Sequence, residues 1–468
     1  MNMEGFKQTF FQQNGILAWI VCLGMLISNV IVQGINNAFG GIISTIISEF
    51  HADLTSVSLI PSIHSATYYF AGFICSILVK RYSFRSLVFF GGVGSCIAFI
   101  ASFFSSSILS LTVCYGLLGG MCNGIVYVPG LIACGFYFDD NKRALATGIA
   151  TSGSGIGIVA IPLLVSYVNE NFGWRYAMLF LCSICPIICL VALMMLPLST
   201  PTSDTKNCLP QYIDDIENGE NNNNSDATGS KMIDSNKRHR ISICEMKLGF
   251  DVSNVIKHII EYLSESWNLL KQPKLLSFCL SHGLFTLGYF IPIDFLSSMM
   301  VEDHGILVGQ AEYIIPIVGV ATCIGKLLTG VFITKLKLNP LGLHSLYLIG
   351  CGVCCFTFTC CTQYSHFIGV AVLFGLVVGP IDMMIMECLT KMFGIDLVKD
   401  TVGYVMLMYA MGAAIGAPIG GCLYGISNTF NGPFYFGAII FLASGVFGWF
   451  ALILNKKYAQ RIAQYDRL

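Results

Sequence analysis

Apolar residues are not scattered along this chain but gathered into runs of about 20, near 17–45, 56–79, 87–104, 108–136, 144–168 and 176–197, then near 275–299, 313–334, 343–362, 367–390, 401–424 and 433–455. A helix rises about 1.5 Å per residue, so each run is long enough to cross a bilayer core of about 30 Å. Backbone polar groups in lipid must be satisfied within the segment, which predicts twelve transmembrane helices in two groups of six. The first run follows MNMEGFKQTFFQQNG and lacks a small-residue cleavage site, so it reads as a retained helix rather than a signal peptide. Between the groups lies a polar stretch, 199–242, rich in Asn, Ser, Asp and Gly. Such a composition cannot bury enough surface to order itself and predicts a flexible linker. Its Asn223-Asn224-Ser225 matches a glycosylation sequon, on the wrong side of the membrane for use. After it, VIKHIIEYLSESWNLL (255–270) mixes apolar and polar positions at helical spacing, the mark of an interfacial helix. The domain reading is therefore 1–197 as an N-terminal six-helix bundle, 198–273 as linker and 274–468 as a C-terminal six-helix bundle with a short tail.

Charge placement supports the same topology. Lys and Arg in short loops accumulate on the cytoplasmic side. With both termini inside, Lys80, Arg81, Arg85, Lys142, Arg143, Lys335, Lys337, Lys391, Lys399, Lys456, Lys457, Arg461 and Arg467 are all cytoplasmic. Of the 25 Lys and Arg, only Arg175 falls in an outer loop and only Lys326 well inside a span. Across 468 residues, 55% are hydrophobic and 11% charged, with a mean hydropathy of +0.73, which is outside the range of soluble domains. The net charge of −1 offers nothing to nucleic acid. The 20 cysteines are spread through the spans without a metal-ligand pattern and read as small packing residues.

The two halves echo each other. Gly148 lies ten residues after Phe138 and nine before Gly157; Gly403 and Gly412 repeat this spacing after Phe393, 255 residues later. Basic turns follow the second helix of each half, VKRYSFRS and ITKLKLNP. Two parallel six-helix halves around a midplane cavity are the major facilitator design. YFDDNKRALATGIATSGSGIG (137–157) resembles the signature of the monocarboxylate transporter family, matching at Tyr137, Phe138, Arg143, Leu145, Ala146, Gly148, Ala150, Gly153 and Gly157. It departs by one extra loop residue and by Lys142 in place of the first arginine. NGILAW resembles the family's helix-1 signature, keeping Gly15, Ala18 and Trp19, with Asn14 where the family has an acid. FGWR (172–175), GYFIPIDFL (288–296) and VGYVMLMYAMGAAIGAPIGG (402–421) extend the likeness over nearly all of the chain outside the linker. The resemblance implies an all-α membrane transporter of the plasma membrane. It implies alternating access for a small organic solute such as a monocarboxylate, and in many relatives a single-span accessory glycoprotein as partner. Independently of the family, glycines at spacings of four and nine allow close helix packing, so Gly148, Gly153 and Gly157 read as conformational and packing residues.

The resemblance also places candidate site residues. Lys326 takes the position of a helix-8 arginine that receives the substrate carboxylate, and Thr322 that of the proton-carrying aspartate one turn earlier. Asn37 takes the position of a helix-1 lysine and Tyr69 that of a substrate-facing tyrosine. Lysine lacks the bidentate fork of arginine and is costly at mid-membrane without a partner or a wet cavity. Asp382 and Glu387 are the only charges in LFGLVVGPIDMMIMECL, about 140° apart around a helix. Asp382 is the expected partner of Lys326, since the thyroid-hormone and aromatic amino-acid branch resembles this arrangement with an acid where Val378 stands here. Asp382, Glu387 and His64 are proton-coupling candidates; His64 and His282 could each relay protons near neutral pH, although a lone His in a span is more often a hydrogen-bonded packing residue. Asp294, near the outer end of the seventh span, reads as a solvated mouth residue.

The leading expectation is thus a secondary transporter of a monocarboxylate or related organic anion, with proton coupling left open by the missing helix-8 acid. The alternatives are a uniporter of a neutral or zwitterionic solute, such as an aromatic amino acid, and a non-transporting sensor or scaffold of the same fold. No HExxH, GxSxG or GxxxxGK[ST] pattern is present, so neither an enzyme nor an ATP-driven pump is expected, and no cofactor or metal.

Overall fold

The computed structural model describes residues 13–196 and 269–465. The linker, its sequon and all but the last two residues of the expected interfacial helix lie outside the described residues. The apolar runs fold as α1 (Ile16–Phe50), α2 (Leu54–Leu78), α3 (Phe84–Phe103), α4 (Ile108–Tyr137), α5 (Arg143–Phe172) and α6 (Trp174–Met194). The second group forms α7 (Pro273–Glu302), α8 (Val308–Leu336), α9 (Pro340–Phe358), α10 (Tyr364–Phe393), α11 (Val398–Ser427) and α12 (Asn431–Tyr465). Among the described residues, 11 helices are long and apolar enough to cross a membrane. The twelfth, α2, is 25 residues long but less apolar, because it carries His64, Tyr68, Tyr69 and a series of Ser and Thr. Much of that polarity is satisfied within the first half, where His64 meets the Tyr115 carbonyl, Thr67 the Gly116 carbonyl and Ser65 the Asn36 side chain.

Helix starts follow local chemistry. Asp53 accepts the Ser56 N–H at 3.0 Å ahead of α2, and Ser83 caps α3 in the same way through Ser86. Four helices are interrupted, α8 by a turn at Glu312–Tyr313. A tight turn at Phe39–Ile42 bends α1 just beyond Asn37, and wide i→i+5 turns over Thr112–Gly119 open α4. In α10, Pro380 has no backbone N–H to continue the ladder, so the helix restarts there and Asp382 falls in a first turn. The positive end of that half-helix favours a carboxylate at this position.

Packing repeats between the halves. In the first half α1 packs on α5, α2 on α4 and α3 on α6; in the second, α7 packs on α11, α8 on α10 and α9 on α12. Two seams join them, α5 with α8 and α2 with α11. The repeated glycines divide the work identically. A Cβ on Gly148 would lie 2.9 Å from the Lys326 carbonyl across the α5–α8 seam, and one on Gly403 would lie 2.1 Å from Ser76 Oγ across the α11–α2 seam. The second glycine of each pair faces its own half: a Cβ on Gly157 would meet the Val30 carbonyl at 2.3 Å, and one on Gly412 the Gly283 carbonyl at 2.6 Å. The backbones approach because no side chain intervenes. Gly157→Val is therefore expected to cost about 3 kcal/mol or more, at the upper end of overpacking, and to abolish a monodisperse gel-filtration peak. Gly369→Ala, with nothing within 4 Å of the added Cβ, should leave the peak unchanged.

Candidate functional site

The glycine seam sets the position of Lys326. Gly155 and Gly319 approach each other across α5 and α8, as do Gly330 and the Ala144 backbone, so the lysine stem reaches the opposite half. Its Nζ donates to Ser154 Oγ at 2.7 Å and to the Thr151 carbonyl at 3.3 Å, both on α5. The side chain is 2% exposed. Two of the three ammonium protons are thus used in tying α8 to α5. Among the described residues no ion-pair contact within 4 Å joins Lys326 to Asp382, contrary to the pairing expected from the sequence. The two charges act on each other from a greater distance. The reason is reach: Asp382 is held by Tyr409 of α11, whose hydroxyl donates to Oδ1 at 3.1 Å, while Lys326 is held by α5. Thr322, one turn before Lys326, donates to the Gly375 carbonyl at 3.4 Å and serves α8–α10 packing.

Tyrosines surround Asp382. Tyr69 of α2 lies with its ring 5.1 Å from that of Tyr409 and 4.9 Å from that of Tyr68, and Tyr68 is 5.6 Å from Tyr127. The carboxylate acts electrostatically on the hydroxyls of Tyr68, Tyr69, Tyr127, Tyr289 and Tyr409. Asp382, Tyr69 and Tyr289 are half-buried. Asn37 is also half-buried, with Nδ2 donating to the Gln33 carbonyl at 2.8 Å; Gln33 in turn donates to the Tyr68 hydroxyl at 3.1 Å.

The remaining candidates lie elsewhere. His64 is fully buried in the first half, with Nδ1 2.9 Å from the Tyr115 carbonyl that the wide turns of α4 present. His282 is stacked on His344 at 4.6 Å and 9° inside the second half, with Nδ1 bonded to the Phe278 carbonyl. Asp294 is exposed. Glu387 is engaged: Arg143 Nε donates to its Oε1 at 3.3 Å, and Arg143 also binds Asp140 at 2.7 Å. A second ion pair, Lys80 with Asp400, joins α2's end to α11. Lys399 Nζ sits 4.6 Å from the Phe136 ring centre. Among the described residues, both ion pairs that cross between the halves lie at the end carrying the chain termini and the linker, and they close the bundle there.

The two signature stretches also meet. Asn14, with φ 61, accepts the Asp139 N–H through Oδ1 at 3.2 Å, its own N–H reaches the Tyr137 carbonyl at 3.1 Å, and Trp19 packs edge-on against Phe138 at 5.0 Å. Sequence reasoning missed Thr151, Ser154 and Tyr409. Ser154 was visible inside the signature, and Tyr409 as a hydroxyl in the apolar run VMLMYAMG.

The sequence model of the Major Facilitator Superfamily matches residues 25–398 and 278–467. The chain belongs to the major facilitator superfamily. Within it the chain is similar to the monocarboxylate transporters. Monocarboxylate transporter 6 of Homo sapiens is 24% identical over 98% of this chain and 86% of its own length. Monocarboxylate transporter 2 of Homo sapiens is 25% identical over 92% and 84% respectively. Monocarboxylate transporter 4 of Mus musculus is 23% identical over 92% and 83%. The solved structure of the superfamily transporter FucP in its outward conformation aligns with a TM-score of 0.63 at 14% identity, covering 93% of this chain and 99% of that one. This establishes a common fold. The relatives are transporters, which are not enzymes, and this chain is a multi-pass membrane protein of their superfamily.

Proposed function

We propose that the protein carries a small organic solute bearing a carboxylate by alternating access, with Lys326 as the anion pole. The observation that carries this reading is the Lys326 contact with Ser154 and Thr151. A charge this deep is expensive and persists where it serves a solute path. Because its partners here are neutral groups of the opposite half, an incoming carboxylate offers the ammonium a stronger, charge-assisted acceptor. Binding then weakens the α5–α8 tie at the moment the site is filled. That links occupancy to movement of one half against the other, as a ligand must favour one state to shift the equilibrium.

In this reading the halves 1–197 and 274–468 rock about the two seams, with 198–273 as the connection between them. In this reading the Arg143–Glu387 and Lys80–Asp400 pairs hold the described state closed at the face bearing the termini. The basic residues of the loops favour that closed face as cytoplasmic, in a plasma-membrane orientation. Purified protein in proteoliposomes is expected to show saturable uptake of a labelled short-chain monocarboxylate. A rise in initial rate when the outside is acidified would establish proton symport, and an unchanged rate would establish facilitated diffusion. Flux no greater than in empty liposomes across a panel of carboxylates would overturn the transporter reading.

A further inference from the structure

Exposed apolar stripes on α8 and α12 both end on lysines. Along α12 the exposed positions Val446, Trp449, Phe450 and Ile453 fall on one side of the helix, and that side continues at the exposed Lys456 and Lys457. Along α8, Val320, Ile324 and Leu328 form such a series, and it continues at the exposed Lys335. In a membrane protein these stripes are the faces turned to acyl chains. Trp449, 50% exposed and two turns before Lys456, stands where aromatic side chains meet the headgroup level.

The stripes converge at the turn between α8 and α9. The Thr329 and Tyr347 hydroxyls, 2.7 Å apart, join α8 to α9, and a Cβ on Gly342 would lie 3.8 Å from Leu452 of α12. The turn itself is pinned at both ends. Lys337 closes α8 in the left-handed conformation, with φ 50, and Asn339 Oδ1 accepts the Leu341 N–H at 3.1 Å to start α9. So held, the turn leaves Leu336 62% and Leu338 41% exposed, interleaved with the exposed Lys335 and Lys337. Among the described residues none of Lys335, Lys337, Lys456 and Lys457 forms an ion pair within 4 Å, whereas Lys80 and Arg143 at the same face are paired with acids. No Asp or Glu occurs in 331–362 or in 431–465.

We propose that Lys335, Lys337, Lys456 and Lys457 form a binding surface for anionic phospholipids of the leaflet on the side of the chain termini, with Leu336 and Leu338 seated at the acyl boundary. Leucines at the ends of acyl-facing stripes gain by entering that boundary, and lysine stems lie along it while their ammonium groups reach the phosphates. A basic cluster without acids of its own is complementary to an anionic leaflet. Interfacial anchors of this kind set the depth and tilt of the helices that carry them. Because α9 and α12 belong to neither seam, the proposal does not depend on the reading of Lys326.

The test is lipid retention by the purified full chain. Protein is equilibrated with equal amounts of phosphatidylserine and phosphatidylcholine, washed by detergent exchange, and its bound lipids are counted by native mass spectrometry. The wild type should keep phosphatidylserine over phosphatidylcholine by about ten-fold or more. Changing Lys335, Lys337, Lys456 and Lys457 together to Gln should bring the ratio to about one, and Lys456→Gln with Lys457→Gln should lower it part-way. Lys456→Arg with Lys457→Arg should preserve it, since the charge is kept. Leu336→Ala with Leu338→Ala should lower phosphatidylserine retention several-fold at unchanged charge. Should the four-lysine variant fail to give a monodisperse protein, raised salt applied to the wild type supplies the same reading, as a several-fold fall in the ratio. Equal retention of the two lipids by the wild type, or a ratio indifferent to the lysine changes and to salt, overturns the proposal. So does an equal fall in Arg81→Gln with Arg85→Gln, exposed cations of the first half, which would make the preference one of net charge. Displacement by glycerophosphoserine, the headgroup without acyl chains, would likewise replace a lipid surface with a site for a free anion.

Discussion

Arg143→Leu is expected to destabilise the protein by about 3–5 kcal/mol, the cost of leaving one member of a buried ion pair without the other. Glu387 is 5% exposed and Arg143 is its ion-pair partner across the halves. The reverse change should be milder. In Glu387→Gln the guanidinium keeps Asp140 at 2.7 Å, a residue with an 87% exposed side chain that lets water share the charge. The double variant Arg143→Leu with Glu387→Leu should recover part of the loss, since it removes both charges together. Because the pair crosses between the halves, its loss also shifts the equilibrium toward opening of that face, by roughly a hundred-fold or more. Thermal unfolding in detergent reads the first effect, and labelling of cysteines introduced beneath the pair reads the second. Equal melting temperatures for Arg143→Leu and the wild type would remove the pair from any role in closure.

Lys326→Gln should lower kcat/KM for a carboxylate solute by at least about a hundred-fold, because a charge-assisted bond in a site poor in water becomes a neutral one. Lys326→Arg should retain part of the activity. Its longer planar fork grips carboxylate well but displaces Ser154 and Thr151 from their present distances. Ser154→Ala separates the two roles assigned to this lysine. It removes a hydrogen bond to a charged group, worth about 1.5–3 kcal/mol, without touching the charge. Solute affinity should hold or tighten, while the closed state should lose stability relative to the open one. A Ser154→Ala protein with wild-type conformational exchange and weakened solute binding would show that the serine belongs to the solute site rather than to the tie.

The fold was legible because membrane spans announce themselves in long apolar runs, and the repeat because Gly148, Gly157, Gly403 and Gly412 stand in a fixed spacing. What each glycine faces was not legible, since spacing gives a helix face but not the neighbour on it. Lys326 stood out because charge is rare in such runs. Its partners did not: Thr151 contributes a backbone carbonyl, which no residue type signals, and Ser154 is one of several small polar residues in the signature. The expected Lys326–Asp382 pair illustrates the general difficulty. Two opposite charges at similar depth invite pairing on paper, yet Tyr409 and Ser154 hold them apart. Glu387 stands about 140° from Asp382 around an ideal helix, and in the structure it meets Arg143 of α5 while Asp382 meets Tyr409 of α11.

The glycine seam between α5 and α8 has a mechanical consequence. Its closest approaches, at Gly155 with Gly319, Gly148 with Lys326 and Gly330 with Ala144, run from Ala144 to Gly155 on α5 and from Gly319 to Gly330 on α8. Surfaces so nearly smooth resist separation yet offer few protrusions to lock rotation, so in the rocking proposed above the pair would serve as an axle. Displacement is smallest along an axle and grows with distance from it. A modest turn would leave the lysine almost in place while swinging Lys80, Asp400 and the other groups on the rim through the full stroke, so that small changes at the centre are read out with leverage at the edge.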